Sequence, residues 1–280
     1  MIFCVHLASS FRVYDPRGRG MARHFQKLAD MHIGGVLIGS QAPDSTLDWH
    51  EYVKTVAECA REFGFRVCAH APATDISATD PVTIEESVAS VQRFISVLGS
   101  LISDSVVAVH PEPFAPIRQA DDDAARIESC RKSLEALART AAAHRVRIAL
   151  ENMRRRPDAP NRTGMRVGEL LQIISDTDPA TVGICFDTGH ANISEEDGPI
   201  AAFARNAERI IHVHLNDNLG QDDQHLPLGQ GNINFEQFHS ALRQSGYAGM
   251  LELEVKVPEG EDPLAFYKHS FRFFSTASKG

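Results

Sequence analysis

Eight short apolar runs, spaced along the whole chain and separated by segments of helical periodicity, constrain the fold more than any other feature. They are IFCVHLA (2–8), GGVLIG (34–39), FRVCAH (65–70), SVVAVH (105–110), VRIALEN (146–152), TVGICFD (181–187), RIIHVHL (209–215) and GMLELEV (249–255). Each is rich in Val, Ile or Leu and mostly bounded by polar residues or Gly, as strands buried on both faces of a parallel sheet are. Between them, LDWHEYVKTVAECAREFG (47–64) places Leu47, Tyr52, Val56, Cys59 and Phe63 on one side of a helix. The segment 121–144 starts acidic and ends basic, matching the helix dipole. Asp80-Pro81 and Asp262-Pro263 read as an N-cap followed by Pro at the first helical position. Strand–helix alternation with eight strands predicts an α/β fold, a single (β/α)8 TIM barrel spanning residues 1–280. A doubly wound open sheet is the alternative.

At 280 residues the chain suits one barrel of ordinary size. A net charge of −9 argues against a general binder of nucleic acid or membranes, which carries basic excess. No apolar run approaches the length of a membrane span, and MIFCVHLASSFRVYD lacks the basic start of a signal peptide. The five cysteines are scattered through apolar stretches without a CxxC pair, as buried thiols of a reducing compartment are. A cytoplasmic location is expected. The RGRG at 17–20 lacks a preceding strand, so a dinucleotide site is not indicated.

A buried strand has no structural need to finish in a polar group, yet six of the eight do. Their ends read His70, His110, Glu151, Asp187, His214 and Glu254, and the loops just beyond add His190, Asp223 and His225. Parallel barrel strands leave on one side, so these groups converge on one mouth, where barrel active sites lie. Oxygen and imidazole donors in this mixture suit a divalent cation such as Zn²⁺, Mn²⁺, Fe²⁺ or Co²⁺. Glu252 competes with Glu254, and His212 with His214, because residues i and i+2 share a face; in each pair the one nearer the strand end is expected at the mouth. His6 ends the first strand and is expected to line the pocket. Arg154, Arg155 and Arg156 follow Glu151 and could clamp a phosphate or carboxylate, with Arg155 and His190 the expected substrate contacts. The stretch 216–234 is long for a βα loop, which suggests a functional role. Trp49 and FYKHSFRFF (266–274) are expected to pack the outer helices, a kind of surface that also serves homo-oligomer contacts.

The motifs AHAP (69–72), VHPEP (109–113), ALEN (149–152), GICFDTGHAN (183–192), HVHLND (212–217), DQHLPLGQGNINF (223–235) and GYAGMLELEV (246–255) resemble the xylose-isomerase-like TIM-barrel superfamily. The likeness is closest to its sugar phosphate isomerases/epimerases and extends to endonuclease IV. It implies a divalent metal (Mn, Zn, Co or Mg) held by Glu151, Asp187, His214 and Glu254, with Glu151 and Glu254 also moving a proton. Positions matching His70, His110, His190, Asp223 and His225 complete a three-metal cluster in endonuclease IV, so one to three ions are implied. Ala73 stands where endonuclease IV has Tyr, and NDNLGQD is short and acidic where a DNA enzyme carries basic residues. NMRRRPDAP in turn lacks the second Glu that ketose epimerases commonly place after the fifth strand. The expected function is a metal-dependent isomerase or epimerase acting on a sugar, sugar phosphate or polyol derivative. The alternative is an endonuclease IV-like phosphoester hydrolase. The chemistry also leaves a lyase open, since an acidified α-proton can depart together with a β-leaving group.

Overall fold

The computed structural model describes residues 1–10, 19–42, 48–113, 123–156 and 162–276, the side chains of Ser9, Ser10 and Arg19 excepted. Leu47, Asp121, Asp122 and the RG of residues 17–18 lie outside the described residues. The eight runs form β1 (Ile2–His6), β2 (Gly35–Ile38), β3 (Arg66–His70), β4 (Val106–Val109), β5 (Arg147–Glu151), β6 (Val182–Asp187), β7 (Ile210–Leu215) and β8 (Met250–Leu253). All neighbours pair in parallel, and β8 closes on β1, giving a closed barrel in sequence order. The open-sheet alternative is thereby excluded.

Helices cover the outside. The helix Trp49–Phe63 is capped by Asp48, which accepts from the Glu51 N–H at 3.0 Å, and it buries Tyr52, Val53, Val56 and Cys59 against the barrel. Both Asp-Pro signals hold. Asp80 accepts from the Thr83 N–H at 2.8 Å to start Pro81–Leu101, and Asp262 accepts from the Ala265 N–H at 2.8 Å to start Pro263–Thr276. In that last helix Phe266, Tyr267, Phe271 and Phe274 are buried, with the Phe271 ring 4.4 Å from that of Phe3. Trp49 stacks near Phe94 at 5.1 Å and donates to the Gly39 carbonyl. No helix of the described residues is long and apolar enough to cross a membrane.

There are two cores. The larger lies between strands and helices and is built of Val, Ile, Leu and Phe. The smaller fills the barrel interior with compact side chains, among them Cys4, Leu37, Cys68, Ala108, Ala149 and Cys185. All five cysteines are buried and none forms a disulfide. Strand alternation that points Ala149 and Cys185 inward also points Glu151 and Asp187 inward, two residues nearer the C-terminal end. The predicted strands were longer than those observed. His110 and Glu254 stand one residue beyond β4 and β8, although the Glu254 N–H still donates to Leu215 O at 3.0 Å and keeps the side chain in ladder register.

Candidate metal centre and active site

The C-terminal ends of the strands bring the predicted ligands together. Glu151, Asp187, His214 and Glu254 each place a donor atom within 4.8 Å of the other three. His214 Nδ1 is the hub, 3.1 Å from Glu254 Oε2, 3.4 Å from Glu151 Oε1 and 3.9 Å from Asp187 Oδ2. Of the competing pairs, Glu254 and His214 are the members placed in this quartet. All four residues do point inward, but Glu252 and His212 sit one layer down, where Glu252 Oε2 is 3.2 Å from His214 Nε2 and 3.4 Å from His212 Nε2.

The secondary candidates flank this quartet. His70 Nε2 and His110 Nε2 lie 3.3 and 3.1 Å from Glu151 Oε2. His190 Nε2 and His225 Nε2 lie 3.6 and 3.2 Å from the two oxygens of Asp223. In three of these rings Nδ1 faces a backbone carbonyl: His70 to Ala71 at 3.3 Å, His190 to Asn152 at 2.8 Å and His225 to Glu254 at 2.9 Å. A carbonyl can only accept, so Nδ1 carries a proton and Nε2, once it gives up its own, is the nitrogen open to a cation. Metal-binding histidines are oriented in this way. His225 reaches its place with a left-handed backbone, φ +48°.

Carboxamides hold the carboxylates. Asn152 accepts from the Asp187 N–H at 2.7 Å and donates to the Asp187 carbonyl at 3.1 Å, while Asn216 donates to Asp187 Oδ2 at 2.7 Å. The other Asp187 oxygen caps the short helix Thr188–Ser194 through the His190 N–H. Gly189 is required there, since a side chain would collide with Asn216 and Asn218. Asp217 acts on the loop and not on the mouth. Its two oxygens accept from the N–H groups of Asn218, Gly229, Gly231 and Ile233 at 2.8–3.2 Å, folding residues 218–233 so that Asp223 and His225 return to the barrel. Asn152, Asn216 and Asp217 were not predicted as site residues; the only signal was their position directly after a strand or its terminal ligand.

Arg155 departs from expectation. Its side chain is exposed, and its backbone N–H donates to Ser194 Oγ at 2.7 Å. The preceding residue, Arg154, turns to the mouth instead, 3.4 Å from both Asp222 and Asp223. Beyond β5 only one of the two neighbouring arginines turns to the mouth. His6 is half-buried at the end of β1. Burial lowers its pKa, against the pull of Glu252 and Glu254.

The electrostatics are those of a concentrated, mutually compensating cluster. Burial alone raises the Glu151 carboxyl, but His214 and His110 outweigh it and hold the group well below the usual carboxylate range. Burial pushes Asp187 up to about 7, opposed by His190 and reinforced by Glu254 and Glu151. Burial disfavours charge on His190, yet Asp187 and Asp223 override it and lift the ring to about 10. The same balance, with Asp223 and Glu254 as partners, puts His225 at about 9.

The residues fit a cation. Glu254 Oε2, Asp223 Oδ1 and both His214 nitrogens are buried and make no hydrogen bond, although each has opposite charge close by. Buried polar atoms are ordinarily hydrogen-bonded. For Glu254 Oε2 and His214 Nδ1, which face each other in the quartet, a positive ion with oxygen and imidazole ligands would be the missing partner.

The chain belongs to the xylose isomerase-like TIM barrel family, whose pattern it matches over residues 25–277. It is 32% identical over 212 residues to the uncharacterised protein MJ1311 of Methanocaldococcus jannaschii, covering 73% of this chain and 69% of that one. It is 27% identical over 227 residues to an L-ribulose 3-epimerase of Methylomonas sp. (strain DH-1), covering 77% and 73%. Among solved structures, a D-tagatose 3-epimerase-like protein superposes with a TM-score of 0.77 at 24% identity, over 98% of this chain and 97% of the other.

Proposed function

We propose that residues 1–280 form one barrel domain that isomerises or epimerises a sugar, sugar phosphate or polyol derivative with the help of a divalent metal. The observation that carries this reading is the Glu151–Asp187–His214–Glu254 quartet, gathered within 4.8 Å at the mouth of the barrel. Kinship with an L-ribulose 3-epimerase supports the substrate class. A cation held by the four residues would polarise a substrate carbonyl with its neighbouring hydroxyl and acidify the α C–H. Glu151 and Glu254 then have the protein's part of the work. They approach His214 from different strands, β5 and the end of β8. From there one carboxylate removes the α-proton on one face, and the other returns a proton on the opposite face. Glu151 is held ionised by His214 and His110, the state from which a base starts. His6 and His190 border the same space and are assigned to substrate hydroxyls. Arg155 keeps a substrate role only if its exposed side chain swings inward over the mouth. The five free cysteines support a reducing, cytoplasmic setting.

The test is incubation of ketoses, ketose phosphates and inosose-like polyols in D₂O with Mn²⁺, Co²⁺ or Zn²⁺. A substrate should gain deuterium at the carbon beside its carbonyl as it isomerises. Failure of every such compound to exchange or react would leave the reading without support.

A second reading, phosphoester hydrolysis of the endonuclease IV kind, draws on the gathering of His70, His110, His190, Asp223 and His225 around the same quartet. Against it stand the net charge of −9 and the pairing of Arg154 with Asp222 and Asp223, which spends the mouth's cation on acids. No nucleic-acid partner is assigned. Cleavage of abasic-site duplex at catalytic enzyme levels, lost in Glu254→Gln, would reverse the ranking.

A further inference from the structure

Below the mouth lies a second group of donors that the proposed reaction does not use. Cys68 on β3, His212 on β7 and Glu252 on β8 each offer one donor atom within 4.8 Å of the others. Cys4 on β1 joins them, its Sγ 3.3 Å from Cys68 Sγ. The strand registers explain the grouping. Cys4 lies opposite Glu252 across the β1–β8 ladder, and Cys4 and Cys68 belong to the cluster that fills the barrel interior. None of the four residues is more than 1% exposed.

An interior barrel layer is ordinarily filled by branched apolar side chains. Here it holds two thiols, an imidazole and a carboxylate, and they do not satisfy one another. His212 Nε2 faces Glu252 Oε2 at a long 3.4 Å, and the buried His212 Nδ1 makes no hydrogen bond. The Cys68 thiol faces the Val36 carbonyl at 3.6 Å and the Cys4 sulfur at 3.3 Å, with His212 as a further neighbour. Cys68, His212 and Glu252 offer one sulfur, one nitrogen and one oxygen, a borderline-soft donor set that suits a Zn²⁺-class cation, with the Cys4 sulfur against that of Cys68 but outside the 4.8 Å set.

We propose that Cys68, His212 and Glu252 form a second metal site, beneath the mouth and sharing no ligand with it, for a Zn²⁺-class cation, with the Cys4 thiol beside Cys68 at its edge. On binding, the Cys68 S–metal bond forms and its thiol proton leaves to solvent; no electrons are transferred. Glu252 Oε2, 3.2 Å from His214 Nε2, places the two sites side by side.

Cobalt substitution tests this, because a thiolate ligand gives Co²⁺ an intense near-ultraviolet charge-transfer band that oxygen and imidazole ligands do not. The full chain loaded with Co²⁺ should show the band. Cys68→Ser should lose most of it, and Glu254→Gln, which alters only the mouth, should keep it. Absence of the band from Co²⁺-loaded wild-type protein overturns the proposal, as does a band undiminished in Cys68→Ser or removed by Cys185→Ser alone. Should Cys68→Ser fail to fold, X-ray absorption of the zinc-loaded wild-type protein decides by itself: sulfur in the zinc shell supports the site, and its absence refutes it. The mouth quartet contains no sulfur, but Cys185 Sγ lies within 4.8 Å of ring nitrogens of His212 and His214, so both readouts are repeated on Cys185→Ser, in which the sulfur signal must persist.

Discussion

His214 Nδ1 and Glu254 Oε2 lie 3.1 Å apart in the closed barrel, and neither atom makes a hydrogen bond. Glu151 Oε1 waits on the other side of the same nitrogen at 3.4 Å. Unmade hydrogen bonds at buried atoms cost about 1–3 kcal/mol each. A cation among the four donors removes that cost, so it should stabilise the fold. At a concentration 100-fold above its dissociation constant the gain is about 2.7 kcal/mol. The melting temperature should rise with Mn²⁺, Co²⁺ or Zn²⁺ and fall with a chelator. Glu151→Gln combined with Asp187→Asn should abolish binding at the mouth and flatten the mouth's part of the response while circular dichroism stays native. A mouth cation retained in the double variant, located by anomalous scattering, would rule out the quartet as the ligand set.

Binding of a cation by His190 and His225 should release protons. In the cation-free protein burial opposes their charge, but Asp187 and Asp223 lift His190 to about 10, and Asp223 and Glu254 lift His225 to about 9. Both pKa values are raised above the ordinary 6.5, so both rings are protonated at pH 7. The stability from their pairing with the acids is complete below about 6.5 and disappears as pH climbs through about 9 to 10. A metal ligand must be neutral imidazole. Apparent affinity should therefore increase across the neutral range and level off above about 9 to 10. Calorimetry at pH 7 in buffers of different ionisation heat should show about two protons released from this pair. No difference between wild type and a His190→Gln/His225→Gln variant would remove both histidines from the ligand list.

Asp217 carries the long loop, and its loss should be felt at the mouth. Its oxygens accept four backbone N–H groups in a fully buried position. Hydrogen bonds to a charged group contribute about 1.5–3 kcal/mol each, and the donors of Asp217→Ala would regain only part of that from water. A loss of about 2–4 kcal/mol is expected by chemical denaturation. Cation affinity should drop as well, because the loop returns Asp223 and His225 to the barrel. A variant with unchanged stability would mean that the loop is held by its other contacts, such as the Asp217–Leu226 backbone pair.

The gathering of the candidate ligands was legible in the sequence for a geometric reason. Parallel strands of a closed barrel all end on one side, so the last polar residue of each run is forced to the mouth whatever the loops do. The same geometry explains what was not legible. Arg154 and Arg155 are equivalent as letters, and which one faces inward depends on where β5 stops alternating, which no single run reveals. Asp217 stands two residues beyond β7, and nothing in the run distinguishes its role from that of the candidate ligands. It binds backbone N–H groups some twelve to sixteen residues away in sequence, and such a pairing leaves no periodic trace. Glu252 and His212 were passed over because the strand-end rule selects one layer only. It does not see that the layer below can be polar too.

Removing either glutamate should separate holding the metal from moving the proton. Glu254 Oε2 is 3.1 Å from His214, and Glu151 Oε1 is 3.4 Å from it, so both carboxylates can touch the cation and the substrate. Glu254→Gln keeps one neutral oxygen for the cation and loses the base. Its cation affinity should weaken modestly, and at saturating metal its exchange of the α-proton for deuterium should fall by about 10²–10⁴-fold, the usual contribution of a positioned acid or base. Glu151→Gln should do the same on the opposite face, and Arg155→Ala, whose side chain is exposed, should change exchange far less. Metal occupancy must be measured on every sample, since a sample without metal is inactive for a trivial reason. With full occupancy, a Glu254→Gln protein that exchanges at the wild-type rate makes Glu254 a ligand only. Proton removal and return would then both fall to Glu151, and the product would be expected to form by transfer on a single face.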